Sequence, residues 1–304
     1  NNNDHNAEMI KSRREISKLI EMCYDFVDDN YNSIFTKEKY FIVSNRGTYA
    51  FINIIGSLNS FLTDKGEISK KSKTTDRIFA MDKYLSVLLN GITNLPKDKE
   101  DNLLNLIGAG ADVKWLRFFQ ELVHEKYPDY NPIELIEWRE RHDTQLQSEG
   151  RTYGVAIEKF MKKQVLSNLK TLFGDNWDIE IGSIKRACTT RAEEEIEKSY
   201  KEFGERKNVE WTEMFNVNDY KKIIEDYWTR SPEKSSDNEL DSSSFMTFED
   251  IFAYDIGLAF NSKKDKTRWI SKFNSLRNNW AHQASKNTGL SKEEVEDLKK
   301  MYNH

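Results

Sequence analysis

Apolar residues recur along most of the chain at the three- and four-residue spacing that marks one face of an α-helix. In the first such pattern, Leu19, Cys23 and Phe26 share a face of a helix predicted over about 10–29. The same spacing predicts further helices over about 49–62, 75–94, 98–107, 111–126 and 132–147. The short apolar run Tyr40–Val43 fits either a strand or a buried turn.

Helical spacing continues in the second half of the chain. It predicts helices over about 152–173, 184–206, 218–228, 245–260, 266–280 and 291–302. Thr247 and the Ser291-x-x-Glu294 pair are typical N-caps, and we assign the cap of the 218–228 helix to Asn218-Asp219. The polar segment Ser148–Gly150 separates two helical regions, so we predict an all-α protein with domains at 1–150 and 151–304. The Ser-rich stretch 230–244 is predicted to be a mobile insertion.

Composition and charge narrow the classes of function. Among 304 residues there are only 13 Gly and 4 Pro, which is typical of long helices with few tight turns. The net charge of −5 argues against a protein that coats DNA, because neutralising phosphates supplies most of that affinity. The same net charge is compatible with a small local site that binds RNA.

Cysteine usage and hydropathy predict a cytoplasmic protein. Cys23 and Cys188 are the only cysteines, so there is neither a disulfide framework nor a zinc pattern. No apolar run reaches the roughly 18 residues of a membrane span, and no spacing of ligands predicts a metal or cofactor. The chain begins without Met, so we expect it to be a piece of a larger protein that continues N-terminal to residue 1.

Candidate chemistry is concentrated in the segment Arg277–His282. Arg277 and His282 are five positions apart, which on an unbroken helix is a rotation of about 140° and a rise of about 7.5 Å. A histidine can accept the proton of a ribose 2′-hydroxyl, and a guanidinium can hold the scissile phosphate. The two residue types are therefore sufficient for metal-free cleavage of RNA, although this spacing alone occurs often by chance.

The wider pattern around this segment resembles the HEPN superfamily, in the subgroup found in prokaryotic multidomain defence proteins. The resemblance covers roughly 153–304. It rests on Leu172-Phe173-Gly174-x-x-Trp177, on Phe215-x-Val217-x-Asp219-Tyr220, and on Phe273-x-x-Leu276-Arg277-Asn278-x-x-Ala281-His282. It implies a HEPN-like helical bundle with Arg277 and His282 as the catalytic pair and Asn278 as the polar residue beside the arginine. It also implies a homodimer that places two motifs in one cleft, in a protein of antiphage defence.

The N-terminal half carries a second resemblance. The segment that contains Ser44-Asn45-Arg46-Gly47 resembles the C-terminal part of DGQHR-domain proteins, relatives of a DNA-phosphorothioation regulator. The DGQHR motif itself is absent, and the resemblance implies that it lies upstream of residue 1.

Three hypotheses follow for the function. The first is a metal-independent endoribonuclease. The second is a non-catalytic module for dimerisation or nucleic-acid sensing, because many HEPN modules lack catalysis. The third is a DNA-binding regulator of DNA modification. An open, positively lined cleft at Arg277 and His282 would favour the enzyme, whereas burial or pairing of both residues with carboxylates would oppose it.

Overall fold

The computed structural model describes residues 2–36, 42–108, 110–232, 245–281 and 289–304. All regular secondary structure in these ranges is helical, which confirms the predicted all-α class. Two compact units divide between Arg139 and Glu140, within one helix, whereas the sequence placed the boundary at Ser148–Gly150. Ser148–Gly150 instead lie inside a 30-residue helix.

The first unit is built from seven helices in the described part of the chain. They are α1 (Asn2–Tyr31), α2 (Ser33–Thr36), α3 (Asn45–Asp64), α4 (Thr74–Thr93), α5 (Lys97–Leu104), α6 (Ala111–Lys126) and α7 (Ile133–His142), the last of which crosses into the second unit. Helices α3, α4 and α6 pack on one another, and α1 packs on α4. Their core contains Phe51, Leu58, Tyr84, Trp115 and Phe119, all at most 1% exposed.

The segment Ser44–Gly47 begins α3. The Ser44 hydroxyl accepts a hydrogen bond from the Gly47 backbone N–H at 3.0 Å, which caps the helix. Arg46 pairs with Asp112 at 3.2 Å and donates to the Leu106 carbonyl, so it ties the start of α3 to the region around α6. In the apolar run predicted at Tyr40–Val43, residues 40 and 41 lie outside the described ranges, and Ile42 and Val43 form part of a turn.

The second unit is organised around α8. Its helices are α8 (Thr144–Phe173), α9 (Trp177–Glu180), α10 (Gly182–Phe203), α11 (Val217–Asp226), α12 (Phe248–Phe252), α13 (Lys263–Lys266), α14 (Arg268–Ala281) and α15 (Lys292–Asn303), with 3-10 turns at Gly174–Asn176 and Trp211–Glu213. Helix α8 contacts α11, α14 and α15, and α11 also contacts α14. This arrangement brings Arg277 of α14 against α8.

Several predicted helix boundaries are corrected by local chemistry. The helix predicted over 132–147 is two helices, because the Asp143 carboxylate accepts the backbone N–H groups of Gln145 and Leu146 and starts α8. The helix predicted over 245–260 ends at Phe252, and the chain then turns through Gly257 with φ of 80°. Thr247 and Ser291 cap α12 and α15 as predicted.

The cap of α11 is Asn216 rather than Asn218-Asp219. The Asn216 side chain accepts a hydrogen bond from the Asp219 backbone N–H at 3.0 Å, and the Asp219 carboxylate accepts one from the Asn216 backbone N–H at 3.0 Å. Asp219 also pairs with Arg191 of α10 at 2.8 Å. Asp219 therefore takes part in the capping box as the third residue of the helix, and its ion pair with Arg191 links the start of α11 to α10.

None of the described helices is both long and apolar enough to span a membrane. Within the predicted insertion 230–244, residues 233–244 lie outside the described ranges.

Candidate functional site

Arg277 lies at the edge of the buried face of α14. Trp269, Ile270, Phe273 and Leu276 form that face and are at most 5% exposed, which fixes the rotation of the helix against the core. Because Arg277 follows Leu276 directly, its side chain emerges beside the core rather than inside it, and it is 34% exposed. The apolar stripe of the sequence thus sets the direction in which the guanidinium points.

The guanidinium of Arg277 is paired with Glu158 of α8. Its Nε donates to Glu158 Oε2 at 3.2 Å, and its Nη2 lies 3.5 Å from Oε1. Arginine has five N–H donors, so this two-point contact leaves three that Glu158 does not engage. At about one-third exposure such a pair contributes at most about 1 kcal/mol, and its main effect is to orient the guanidinium plane.

Tyr220 of α11 interacts electrostatically with Glu158. Burial raises the pKa of the Tyr220 phenol, and the negative charge of Glu158 raises it further. The side chain is only 2% exposed, so the ring belongs to the core. Asn274, one turn before Arg277, donates weakly to Asn218 at 3.4 Å. The junction of α8, α11 and α14 therefore carries the Arg277–Glu158 pair, and Lys221 of α11 donates to Ser271 of α14 at 2.7 Å nearby.

The other two candidate residues differ in how they are placed. Asn278 is exposed on α14, beside Arg277. His282 lies outside the described residues, so its position relative to Arg277 stays a prediction.

Trp280, two positions before His282, is half-buried and contacts the Phe273 ring, with the ring centroids 6.0 Å apart. A Cβ added to Gly154 of α8 would lie 2.3 Å from the Trp280 ring, so only glycine permits this approach.

The described residues on the two sides of 282–288 are held by one carboxylate. Glu294 Oε1 accepts from Asn279 Nδ2 at 3.1 Å, and Glu294 Oε2 accepts from the Ser291 backbone N–H at 2.8 Å. Arg141 adds an ion pair to Glu294 at 3.4 Å. The end of α14 and the start of α15 are therefore fixed to the same side chain.

A buried glutamine anchors the chain just before α15. Gln147 is 7% exposed, its Nε2 donates to the Leu290 carbonyl at 2.8 Å, and its Oε1 accepts the Leu290 N–H at 2.7 Å. The neighbouring Gly289 lies so close to the Arg141 carbonyl oxygen that an added Cβ would be 2.2 Å from it. These contacts satisfy buried backbone groups that would otherwise be costly.

Sequence reasoning missed Glu158, Gln147 and the second role of Glu294. Glu158 and Arg277 are 119 positions apart, and no local pattern relates residues at that separation. The Ser291-x-x-Glu294 pattern predicted the role of Glu294 in the helix cap. Its hydrogen bond with Asn279 could not be predicted, because it depends on how α14 and α15 pack.

Neither cysteine of the chain has the lowered thiol pKa that marks a reactive nucleophile. Burial raises the pKa of the Cys23 thiol to about 12, and burial likewise raises the pKa of Cys188, so neither is a ready thiolate. In the described part of the chain, no group of three His, Cys, Asp or Glu side chains is arranged to hold a metal ion.

Comparison with known proteins gives no relative of this chain. No protein-family model, no curated protein and no solved structure matches it.

Proposed function

We propose that residues 151–304 form a HEPN-like module that cleaves RNA without a metal ion. In this proposal Arg277 binds the scissile phosphate, His282 accepts the proton of the attacking 2′-hydroxyl, and Asn278 contributes a polar contact beside them. The attacking hydroxyl exists only in RNA, which makes RNA the substrate rather than DNA. A larger antiphage-defence protein is the proposed context.

The placement of Arg277 is the observation that carries this proposal. Its guanidinium is partly exposed, already oriented by Glu158, and has three N–H donors to offer a phosphate. An arginine that is ordered before binding loses less conformational freedom when it binds, so its charge is used efficiently. Glu158 also offsets part of the positive charge, which favours a single bound phosphate over a long basic track.

A second copy of the chain forms part of the proposal. On a continuous helix, residues at positions i and i+5 point about 140° apart, so a motif with this spacing on such a helix would not bring its two groups face to face within one chain. A homodimer in which two motifs border one cleft would supply both groups from two chains. Light scattering of the purified protein would then give twice the mass of one chain.

The ion pair with Glu158 also favours one alternative, a non-catalytic dimerisation or nucleic-acid-sensing module. A guanidinium that serves only to join α8 and α14 would be paired with a carboxylate in the same way. The two proposals differ in what they predict for RNA, because the alternative leaves RNA intact.

Removal of His282 is the test that separates these functions. We expect the purified protein to cleave end-labelled RNA in the presence of EDTA, and His282→Ala, purified in parallel, to lose this activity. The loss should be about 10²–10⁴-fold, which is the usual contribution of a general base. Equal cleavage by both proteins would contradict the catalytic role of His282, and no cleavage by either would favour the non-catalytic module.

A further inference from the structure

The first unit contains an open groove that plays no part in the proposed RNA site. It lies between α3, α6 and the segment that leads into α7, and its volume is about 760 Å³. Pockets that bind small molecules have volumes of roughly 300–1,000 Å³. One part of the wall is apolar, with Ile52 and Leu116, and another part is polar, with Ser57 and Arg117.

Arg117 is the unusual group in this groove. Its Nη1 donates to Gln120 Oε1, while its Nε is buried and has no hydrogen-bond partner. Among the described residues no carboxylate forms an ion pair with it. Buried N–H groups are nearly always satisfied, and an exception indicates an unseen water, ion or ligand. A half-buried guanidinium with open donors is suited to a carboxylate or phosphate group.

The surroundings of Arg117 are rigid. Gln120 is 2% exposed, and Tyr130 is fully buried with its hydroxyl 2.9 Å from that of Ser57. A charged group that is held by buried partners keeps its position before a ligand arrives, which reduces the entropy lost on binding. Gly56 of α3 also lines the groove, and a Cβ added there would meet nothing within 4 Å, so the groove is open at this point.

Three carboxylates restrict the ligand. Asp64, Asp129 and Glu134 also line the groove, and within the described ranges Asp129 is the one of the three that has an ion pair, with Lys65 at 2.5 Å. Their charge repels a polyanion such as RNA much more strongly than a small ligand, whose one anionic group can contact Arg117 while the rest of its body lies on the apolar wall. We infer that this groove binds a small organic anion, a carboxylate or phosphate monoester with a short apolar body.

A matched set of probes tests this inference. 4-Methylpentanoate, 3-methylbutyl phosphate, 3-methylbutan-1-ol and 3-methylbutylammonium share one apolar body and differ in the head group. The Ile52 and Ile133 methyl groups line the groove and report binding by NMR in full-length, isoleucine-methyl-labelled protein. We expect saturable shifts with the carboxylate or the phosphate, and the tighter of the two identifies the natural head group. The alcohol and the ammonium should give none.

Variants connect the binding to Arg117. Arg117→Gln should weaken it at least ~10-fold, since it removes a charge-assisted hydrogen bond. Lys114→Gln, an exposed change on the same helix, should leave it unchanged. Gly56→Leu fills the groove without changing Arg117 and should also block binding. The inference is wrong if neither anion shifts the methyl signals up to ~10 mM, a concentration that would nearly saturate even a millimolar site. It is equally wrong if the alcohol or the ammonium binds as tightly, or if Arg117→Gln has no effect.

Discussion

Replacement of Arg277 by alanine is expected to slow RNA cleavage by about 10²–10³-fold, the usual effect of removing one donor that stabilises charge in the transition state. Arg277→Lys should recover only part of the rate, because an ammonium keeps the charge but lacks the planar fork that can hold a phosphate and Glu158 together. Single-turnover rates on one labelled RNA measure both effects.

Arg268→Ala is the matched control for this prediction. Arg268 begins α14 and pairs with Asp265, so its loss tests the removal of an arginine from the same helix away from the motif. We expect its cleavage rate to remain within a few-fold of the wild type. If Arg277→Ala also cleaves at that rate, Arg277 does not bind the reacting phosphate.

The second large effect is expected from Gly289→Ala. The new methyl group would lie 2.2 Å from the Arg141 carbonyl oxygen, 2.9 Å from its carbon and 3.0 Å from its Cα. These are backbone atoms, so the clash cannot be relieved by rotating a side chain. We expect the free energy of unfolding of the second unit to fall by about 1–3 kcal/mol, as in other overpacked sites. Cleavage should fall as well, because Leu290 and Ser291 would move with residue 289.

Gly182→Ala is the control in the same unit. Gly182 begins α10, an added Cβ would meet nothing within 4 Å, and alanine is a better helix former. Denaturant unfolding followed by circular dichroism should show it to be neutral or slightly more stable. If Gly289→Ala is as stable as Gly182→Ala, the anchor at residues 289–291 is looser than the contacts with Arg141 and Gln147 imply.

The fold class could be predicted from the sequence because the helices here are amphipathic and well capped. The spacing of Trp269, Phe273 and Leu276 placed α14 correctly, and the side chains of Thr247 and Ser291 marked helix starts directly. Such signals are local, since caps and apolar stripes act over one or two turns.

The errors in the fold arose where an apolar pattern with helical spacing continues past a local break in the helix. Phe248 and Phe252 extend an apolar run that predicts a long helix, yet the chain leaves the helix at Ala253, and Gly257 then takes a positive φ. The break at Asp143 was missed because its neighbours on both sides follow helical spacing.

The candidate site could be predicted only in part. The sequence selected Arg277, Asn278 and His282 from their order and context, and the structure places Arg277 at the edge of a core face with Asn278 exposed beside it. Glu158, which orients Arg277, comes from a helix more than 100 positions away. Its contact with Arg277 depends on the packing of α8 on α14, and the apolar pattern of neither helix predicts that packing.

The most direct test of the proposed chemistry uses a single missing oxygen atom. A short RNA is first mapped for its main cleavage site in EDTA, and the same RNA is then made with a 2′-deoxyribose on the 5′ side of that bond. If the 2′-hydroxyl is the nucleophile that His282 activates, cleavage at that bond should stop, while cleavage at other sites continues. Unchanged cleavage at the deoxy position would contradict the account, since it would show that another nucleophile attacks the phosphate.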